Sequence, residues 1–492
     1  MSTLSEKTQR AIFWSIGSSG MTNVFQIVFV CILARLLGAH EFGLYAASLV
    51  IINFLSLLSE VGIGPAVIQS KQLTSRHIHT ALVLSLGLAI IMTLFLFLTA
   101  SFFAIFFHQP EIKKITIIMA LGIPLRGIAI ICESLLIREM RFQIYSIIQI
   151  SSYVIGFGFV ALLLAYLGFG VWALVIAHLI QTILESVIII GLMAPQLRFD
   201  FGIKETKELI TYGLGSSIGS MAAFFADQSS NVIAGRYLGA ANLGFYSRAY
   251  QLMVAPAKLL GSQVGKALFP AFSKVQEDNN KIRDIVVGGI NIVSLITIPL
   301  STYCIITAHE IIAILLGKGW EPVVRPFQIL CVSLVFRSSF RLFDSMAKAI
   351  GAVYPRAWRQ WVYAIAVCIF TYIGSFWGID GIASGMTASM LLNFLLMFHL
   401  FCSRVSLTWK QAFAAYKPGV ILGLLLFCLN FSIYNLFRLE YCHLLIRISI
   451  ITIASLVLAS TMLRICPQFL LYGKGLEIAE RMFPKFTQLF SK

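Results

Sequence analysis

The chain has 492 residues, of which 59% are hydrophobic and 12% charged, with a mean hydropathy of +0.88 and a formal net charge of +16. Soluble domains carry roughly 25% charged residues, so half that density leaves too little polar surface for a water-exposed globule. Lipid is the remaining solvent, and the chain is expected to be an all-α polytopic membrane protein.

In chain order, the polar start MSTLSEKTQR lacks the features of a removable signal, and the apolar run behind it reads as a retained first helix. About fourteen runs approach the ~20-residue length of a bilayer-spanning helix. They cover residues 11–37, 42–68, 80–107, 115–137, 144–166, 170–193, 209–235, 242–270, 285–307, 322–348, 359–377, 380–402, 418–437 and 443–463. The connections are short, with no room for an extramembrane catalytic domain, and the chain is not expected to be an enzyme. The tail from Lys474 to Lys492 mixes Leu476, Phe483, Phe486 and Phe490 with basic residues around Pro484. It reads equally as a surface-lying amphipathic segment or as a disordered end.

With a cytoplasmic N-terminus and alternating segments, the inside connections collect Lys71, Arg76, Arg138, Arg141, Arg198, Lys204 and Lys207 in the first half of the chain, and Lys274, Lys281, Arg283, Arg356, Arg359, Arg404, Lys410 and Lys417 in the second. Outside connections hold far fewer, chiefly Lys113, Lys114, Lys318 and Arg438. This positive-inside bias places both termini in the cytoplasm and accounts for the basic excess as topology rather than nucleic-acid binding.

One sentence is written twice. ARLLGAHEFGLYA at 34–46 and GRYLGAANLGFYS at 235–247 align without a gap at an offset of 235 − 34 = 201. Arg35, Gly38, Gly43 and Tyr45 match Arg236, Gly239, Gly244 and Tyr246. Six spans separate the copies, so both face the same side, and the halves are parallel repeats. A weaker match sets PLRGIAIICESLL (124–136) over VFRSSFRLFDSMA (335–347). The expected organisation is an N-lobe at 1–200, a C-lobe at 201–403 with six helices each, and a C-terminal helix pair with tail at 404–492. The motif glycines read as allowing a tight reversal between a lobe's first two helices, with Arg35 and Arg236 at the outer helix ends.

Charges inside spans are costly and mark cavities or pairs. Arg337, Arg341, Asp344 and Lys348 are spaced i, i+4, i+7, i+11 and share one helical face. Two arginines against one carboxylate suit a diphosphate, whose oxygens a guanidinium matches in bidentate fashion. Arg126 and Glu133 lie seven apart on another span, and segment eight adds Arg248, Lys258 and Lys266. For Lys266, Lys348 and Arg138, snorkelling at a helix end is the simpler reading. Substrate-cavity candidates are therefore Arg126, Arg337, Arg341, Arg248 and Lys258. Asp227, Asp344, Glu133 and Glu60 are candidates for a coupling-ion site or for pairing with an arginine, both readings standing.

Other motifs carry less. No GxxxxGK[ST] loop is present, so an ATP-driven pump is not expected. GLGSSIG (213–219) is one residue too long for GxGxxG and reads as a close-packing stripe. HEIIA (309–313) lacks the second His of a zinc-protease motif. The nine cysteines are odd in number, and those inside spans read as small buried hydrophobes. His178 and His399 read first as packing residues. No metal or other cofactor is expected, and whether Na+ or H+ drives the protein is open.

ILARLLGAHEFGLYA followed by SEVGIGPAVIQSKQLTSRHIHTAL resembles the N-terminal signature of bacterial polysaccharide exporters, the lipid-linked oligosaccharide flippases of O-antigen, colanic-acid and exopolysaccharide pathways. DQSSNVIAGRYLGAANLGFYSRAYQL resembles the start of their second lobe, and LGFGVWALV and LLGKGWEP fit as well. The resemblance covers about residues 10–400. It implies a two-lobe bundle of the multidrug and oligosaccharidyl-lipid exporter superfamily, moving undecaprenyl-diphosphate-linked glycan across the inner membrane by alternating access. The family's motif residues fall on Arg35, Tyr45, Asp227, Arg236, Tyr246 and Arg248. Expected partners are the lipid-linked oligosaccharide, membrane lipids, and polysaccharide polymerase and chain-length proteins, with the chain itself a monomer. A multidrug cation antiporter of the same architecture is the alternative. It should offer acids and aromatics to its substrate, whereas the proposed cavity is expected to carry an arginine excess.

Overall fold

The structure is a computed structural model that describes residues 4–70, 73–193, 200–274, 279–349, 351–405, 408–436, 444–466 and 470, with the side chains of 4–19 and 258–281 among those outside the description. The described residues are helical and no strand occurs among them. In lipid no water can satisfy a backbone amide, so long apolar stretches close their hydrogen bonds internally as helices. Nine helices among the described residues are long and apolar enough to cross a bilayer. The bent pair Glu321–Val332 and Leu334–Lys348, angled by 42°, makes a tenth if taken as one span. The tail from Lys474 lies outside the described residues.

Contacts divide the chain into two compact units, 1–247 and 248–492. In the first, α1 (Leu4–Leu36) leads into α2 (Ala39–Glu60) and the short α3 (Ile63–Gln69). Then come α4 (Ser75–Phe106), α5 (Glu111–Ala120), α6 (Gly122–Arg138), α7 (Phe142–Tyr153), α8 (Leu162–Tyr166), α9 (Val171–Met193) and α10 (Ile203–Ile233). Thr74 caps α4, its hydroxyl accepting from the His77 amide. Between α7 and α8 the chain winds as a π-helix over Val154–Ala161, against α9. A side chain at Gly156 would come within 2.7 Å of the Ala177 carbonyl oxygen of α9. The core packs Ile63 and Val67 of α3 against Leu82, Ile131, Leu135 and Ile189.

A helix ends at Glu60 because the next two residues are left-handed, Val61 at φ 38° and Gly62 at φ 64°. Glycine tolerates that conformation, while a β-branched valine is strained in it. The elbow is held by α10: a Cβ on Gly62 would overlap the Gly213 backbone, and a Cβ on Gly213 would overlap the Val61 carbonyl. Gly213 opens the GLGSSIG stripe, and this is the close packing it provides.

The second unit contains most of α11 (Gly239–Lys274), then α12 (Asn279–Ile306), α13 (Ala308–Leu315), α14 (Val324–Val332), α15 (Leu334–Ala349), α16 (Val353–Ser375), α17 (Gly378–Val405), α18 (Trp409–Leu436) and α19 (Leu444–Ile465). Its core gathers Phe343, Phe394, Phe398 and Phe401 with Ile290 and Val293 of α12, and Tyr416 of α18 belongs to it. Gly374 and Gly381 each seat against the other's carbonyl, so α16 and α17 pack backbone to backbone. Gly419 of α18 does the same against Ser294 of α12, and Arg447 of α19 donates to buried Glu310 at 2.8 Å.

Candidate functional site

The site forms inside the first unit, where α2 and α10 run antiparallel. Their meeting points order them: Gly43 lies on Ala240 just beyond α10, Phe54 packs near Phe224, and Gly62 lies on Gly213. Between the two glycine contacts is a cavity of about 460 Å³. α2 supplies Asn53, Ser56 and Glu60; α10 supplies Ser220, Asp227 and Gln228; α6 supplies Arg126; and α9 supplies His178 and Thr182. A wall of amides, hydroxyls and carboxylates in a hydrophobic bundle is a site for a polar ligand or an ion.

Three of the sequence candidates thus converge: Glu60, Arg126 and Asp227 line one cavity. Glu133 stands behind it. Arg126 donates to Glu133 at 2.8 Å through one terminal nitrogen and reaches Glu185 at 3.6 Å through the other. The Tyr145 hydroxyl donates to the second Glu133 oxygen at 2.6 Å. Glu133 and Glu185 are buried. The expected arginine excess is not what this cavity holds. Arg126, the guanidinium among its lining residues, is bridged between two carboxylates, with Glu60 and Asp227 as further acids. The physical reason is that a buried guanidinium needs counter-charge and hydrogen-bond acceptors close by, and here α6 and α9 provide them.

Glu185 and Tyr145 escaped the sequence reading. The signal for Glu185 was present, since it is the one acid in the run from Val171 to Met193. Its pairing with Arg126 depends on α6 and α9 being neighbours, which one sequence does not show. His178, read as a packing residue, lines the cavity and places Nδ1 3.4 Å from the Tyr45 hydroxyl.

The candidates of the second unit form a separate group. On α15, Arg337 donates to the Tyr250 hydroxyl at 2.8 Å with its guanidinium 5.5 Å from that ring, and Arg341 donates to the Ala257 carbonyl at 3.0 Å. Asp344 is paired with Lys348 at 2.8 Å and with Arg356. Arg248 is half-buried on α11, and the Lys258 side chain lies outside the described residues.

The repeated motif corrects another expectation. Gly239 does turn the chain, at φ 84°. Gly43 and Gly244, however, lie inside helices, where they admit a neighbouring backbone rather than a reversal. A Cβ on Gly43 would overlap the carbonyl of Ala240, and one on Gly244 would overlap the carbonyl of Ala39. Since 43 + 201 = 244 and 39 + 201 = 240, the contact is reciprocal: each copy's second glycine seats on the other copy's alanine. Tyr246 is fully buried behind it. Arg35 lies in the last turn of α1 and Arg236 in the last turn of the π-helical stretch Ala234–Leu238 that follows α10, both at helix ends as expected; Arg236 in addition caps α4, donating to the Phe106 carbonyl at its end at 2.5 Å with its guanidinium 5.2 Å from the Phe106 ring.

The chain is 24% identical over 351 residues to the lipopolysaccharide biosynthesis protein WzxC of Escherichia coli, covering 70% of this chain and 71% of that one. It is 28% identical over 367 residues to the succinoglycan biosynthesis transport protein ExoT of Rhizobium meliloti, covering 74% of each. Among solved structures it shares the fold of the lipid II flippase MurJ in an inward closed conformation, with a TM-score of 0.75 at 14% identity over 92% of this chain and 99% of that one. An inward-facing multidrug resistance MATE transporter matches with a TM-score of 0.60 at 16% identity, covering 78% and 94%. The polysaccharide biosynthesis protein family matches residues 32–325, more than half of the chain, and to that family of multi-pass membrane proteins this chain belongs.

Proposed function

We propose that the chain is a flippase moving polyprenyl-diphosphate-linked oligosaccharide repeat units across a bacterial inner membrane by alternating access, with both termini in the cytoplasm. The carrying observation is that one fold, the lipid II flippase fold, accounts for 92% of the chain while its family is one of polysaccharide biosynthesis. The chain acts as a transporter, not an enzyme. In this reading the two lobes are residues 1–200 and 201–403, followed by the helix pair and tail at 404–492, and the polymerase and chain-length proteins act on the product.

The diphosphate is assigned to Arg337 and Arg341, whose spacing puts two guanidinium groups on one face of α15. Arg126 is reassigned from substrate binding to counter-charge, because Glu133 and Glu185 already engage it. The coupling role falls to the cavity acids Glu60 and Asp227, which can take up H+ or Na+ facing the cavity, whereas Asp344 serves its ion pairs. The test is Arg337→Ala with Arg341→Ala. Insertion should be normal, surface polysaccharide lost, and lipid-linked repeat units should accumulate on the cytoplasmic side. Normal surface polysaccharide in that variant overturns the assignment of this face.

One observation favours a second reading. The acid-rich cavity, with Phe224 in its wall, is what an antiporter of cationic drugs would present. Deletion of the gene separates the two: loss of surface polymer supports the flippase, and drug sensitivity with intact polymer supports the antiporter.

A further inference from the structure

The cysteines within spans read as small apolar fillers, yet two of them face each other. Cys304 on α12 and Cys331 on α14 are buried free thiols whose sulfurs lie within hydrogen-bonding reach of one another. Two hydrogen bonds across the helices flank them. The Ser301 hydroxyl donates to the Cys331 carbonyl at 2.6 Å, and the Gln328 amide donates to the Ile305 carbonyl at 2.9 Å. Numbers rise along α12 as they fall along α14, so the helices run antiparallel here and Cys304 stands between the two bonds. Ser301 is one turn from Cys304, and its short side chain already reaches the backbone of Cys331. A disulfide, which joins Cβ atoms about 4 Å apart, needs no longer reach than that.

Cys304 is the less covered of the two and lies just before α12 ends at Ile306. In the proposed orientation that end faces the outer, oxidising side of the membrane. Cys331 lies just before α14 ends at Val332, and α15, bent from it by 42°, carries Arg337 and Arg341. We propose that Cys304 and Cys331 form an oxidisable dithiol that hydrogen peroxide closes to a disulfide, and that the disulfide ties α14 to α12 and restrains the bend into α15. Its effect on export rests on the transport reading, whereas its formation does not. Burial excludes bulky oxidants, but peroxide is small and uncharged. The Cys304 sulfur attacks one peroxide oxygen and the O–O bond breaks. The departing hydroxide takes the thiol proton and leaves as water, and Cys304 becomes a sulfenic acid. The Cys331 sulfur then attacks the Cys304 sulfur, the S–O bond breaks, and a second water leaves with the Cys331 proton. The thiols have then lost two electrons and two protons, and both peroxide oxygens have become water.

The whole protein in detergent is treated with hydrogen peroxide, denatured, alkylated with a maleimide and digested. Cys304 and Cys331 should lose alkylation together, and their peptides should appear joined, lighter than their sum by the two hydrogens lost. Dithiothreitol should separate the peptides and restore alkylation of both. Cys466, exposed just past the end of α19, monitors the peroxide dose, and Cys132, buried on α6, is the comparison for a buried thiol and should react severalfold more slowly than the pair. Cys304 and Cys331 still alkylated at a dose that consumes Cys466 overturn the proposal, as does oxidation of either without joining. In Cys331→Ser, peroxide should leave Cys304 as a sulfenic acid that dimedone traps, and a failure to trap it there refutes the order of attack. Export is the second measurement. In cells given peroxide it should fall severalfold and return with dithiothreitol, while Cys304→Ser and Cys331→Ser show no such fall. Unchanged export while the joined peptide forms overturns the restraint on the bend, as does a fall in either serine variant equal to that of the parent. A protein that forms the disulfide but exports no polymer under any condition counts against the transport reading alone.

Discussion

At the scale of single residues, Arg126 shows how a membrane interior handles charge. A guanidinium among helices is stable only with acceptors around it, and Glu133, Glu185 and, through Glu133, Tyr145 supply them. Arg126→Ala therefore leaves two buried carboxylates without their cation and should cost about 3–5 kcal/mol, read as a fall in melting temperature of the purified protein in detergent. Combining it with Glu133→Gln and Glu185→Gln should recover most of that loss. A triple variant no more stable than Arg126→Ala would mean that the cluster is not held by charge. Val61 behaves oppositely: it is a valine in the left-handed region at φ 38°, so Val61→Gly should stabilise by about 1 kcal/mol if the elbow keeps its shape. A lower melting temperature in that variant would mean that the Val61 side chain contributes more packing than its backbone costs. Arg126 with Glu133 was legible as a same-face pair. Glu185 was not, because its partner is 59 residues away (185 − 126 = 59) on a different helix.

Elements in this protein meet through glycine. The α2–α3 elbow against α10, α2 against the start of α11, α16 against α17, and α18 against α12 all bring backbone onto backbone. Lipid offers no hydrophobic drive for helices to associate, so close van der Waals approach has to supply it. Gly213→Leu should consequently push α10 away from the α2–α3 elbow and abolish export, because a side chain there meets the Val61 and Gly62 backbone. Export retained at the normal level in an inserted Gly213→Leu protein would show that the contact is dispensable. The small-residue stripe that holds Gly213 was visible in the sequence as a composition, but its partner was not, since a glycine carries no side chain whose pattern could announce what it meets.

For the whole molecule, the last two helices invite a decisive truncation. Tyr416 sits in the core of the second unit and Gly419 seats on Ser294, while Arg447 and Glu310 form a buried pair. Stopping the chain after residue 403 should strand Glu310 in an apolar environment and reduce the membrane-inserted level severalfold in a fluorescence-tagged expression assay. A truncated chain at normal levels would mean that these helices add function without holding the unit together. Reporter fusions at both ends address the orientation: each should behave as cytoplasmic, and a periplasmic signal from either would overturn the placement of the termini.

By itself the sequence determined that this is an all-helical membrane protein with a repeated plan, because burial in lipid forces apolar spans and internal hydrogen bonding that composition and run length reveal directly. The doubled motif carried the family resemblance for the same reason, being contiguous in the chain. Only the tertiary structure decided that Glu60, Arg126 and Asp227 face one cavity, that Arg126 is neutralised there, that Arg236 caps α4, and that the two motif copies lie against each other. Each of those facts joins residues on different helices. The order of helices along the chain leaves open which of their faces meet, and charge compensation and close approach are properties of faces that meet.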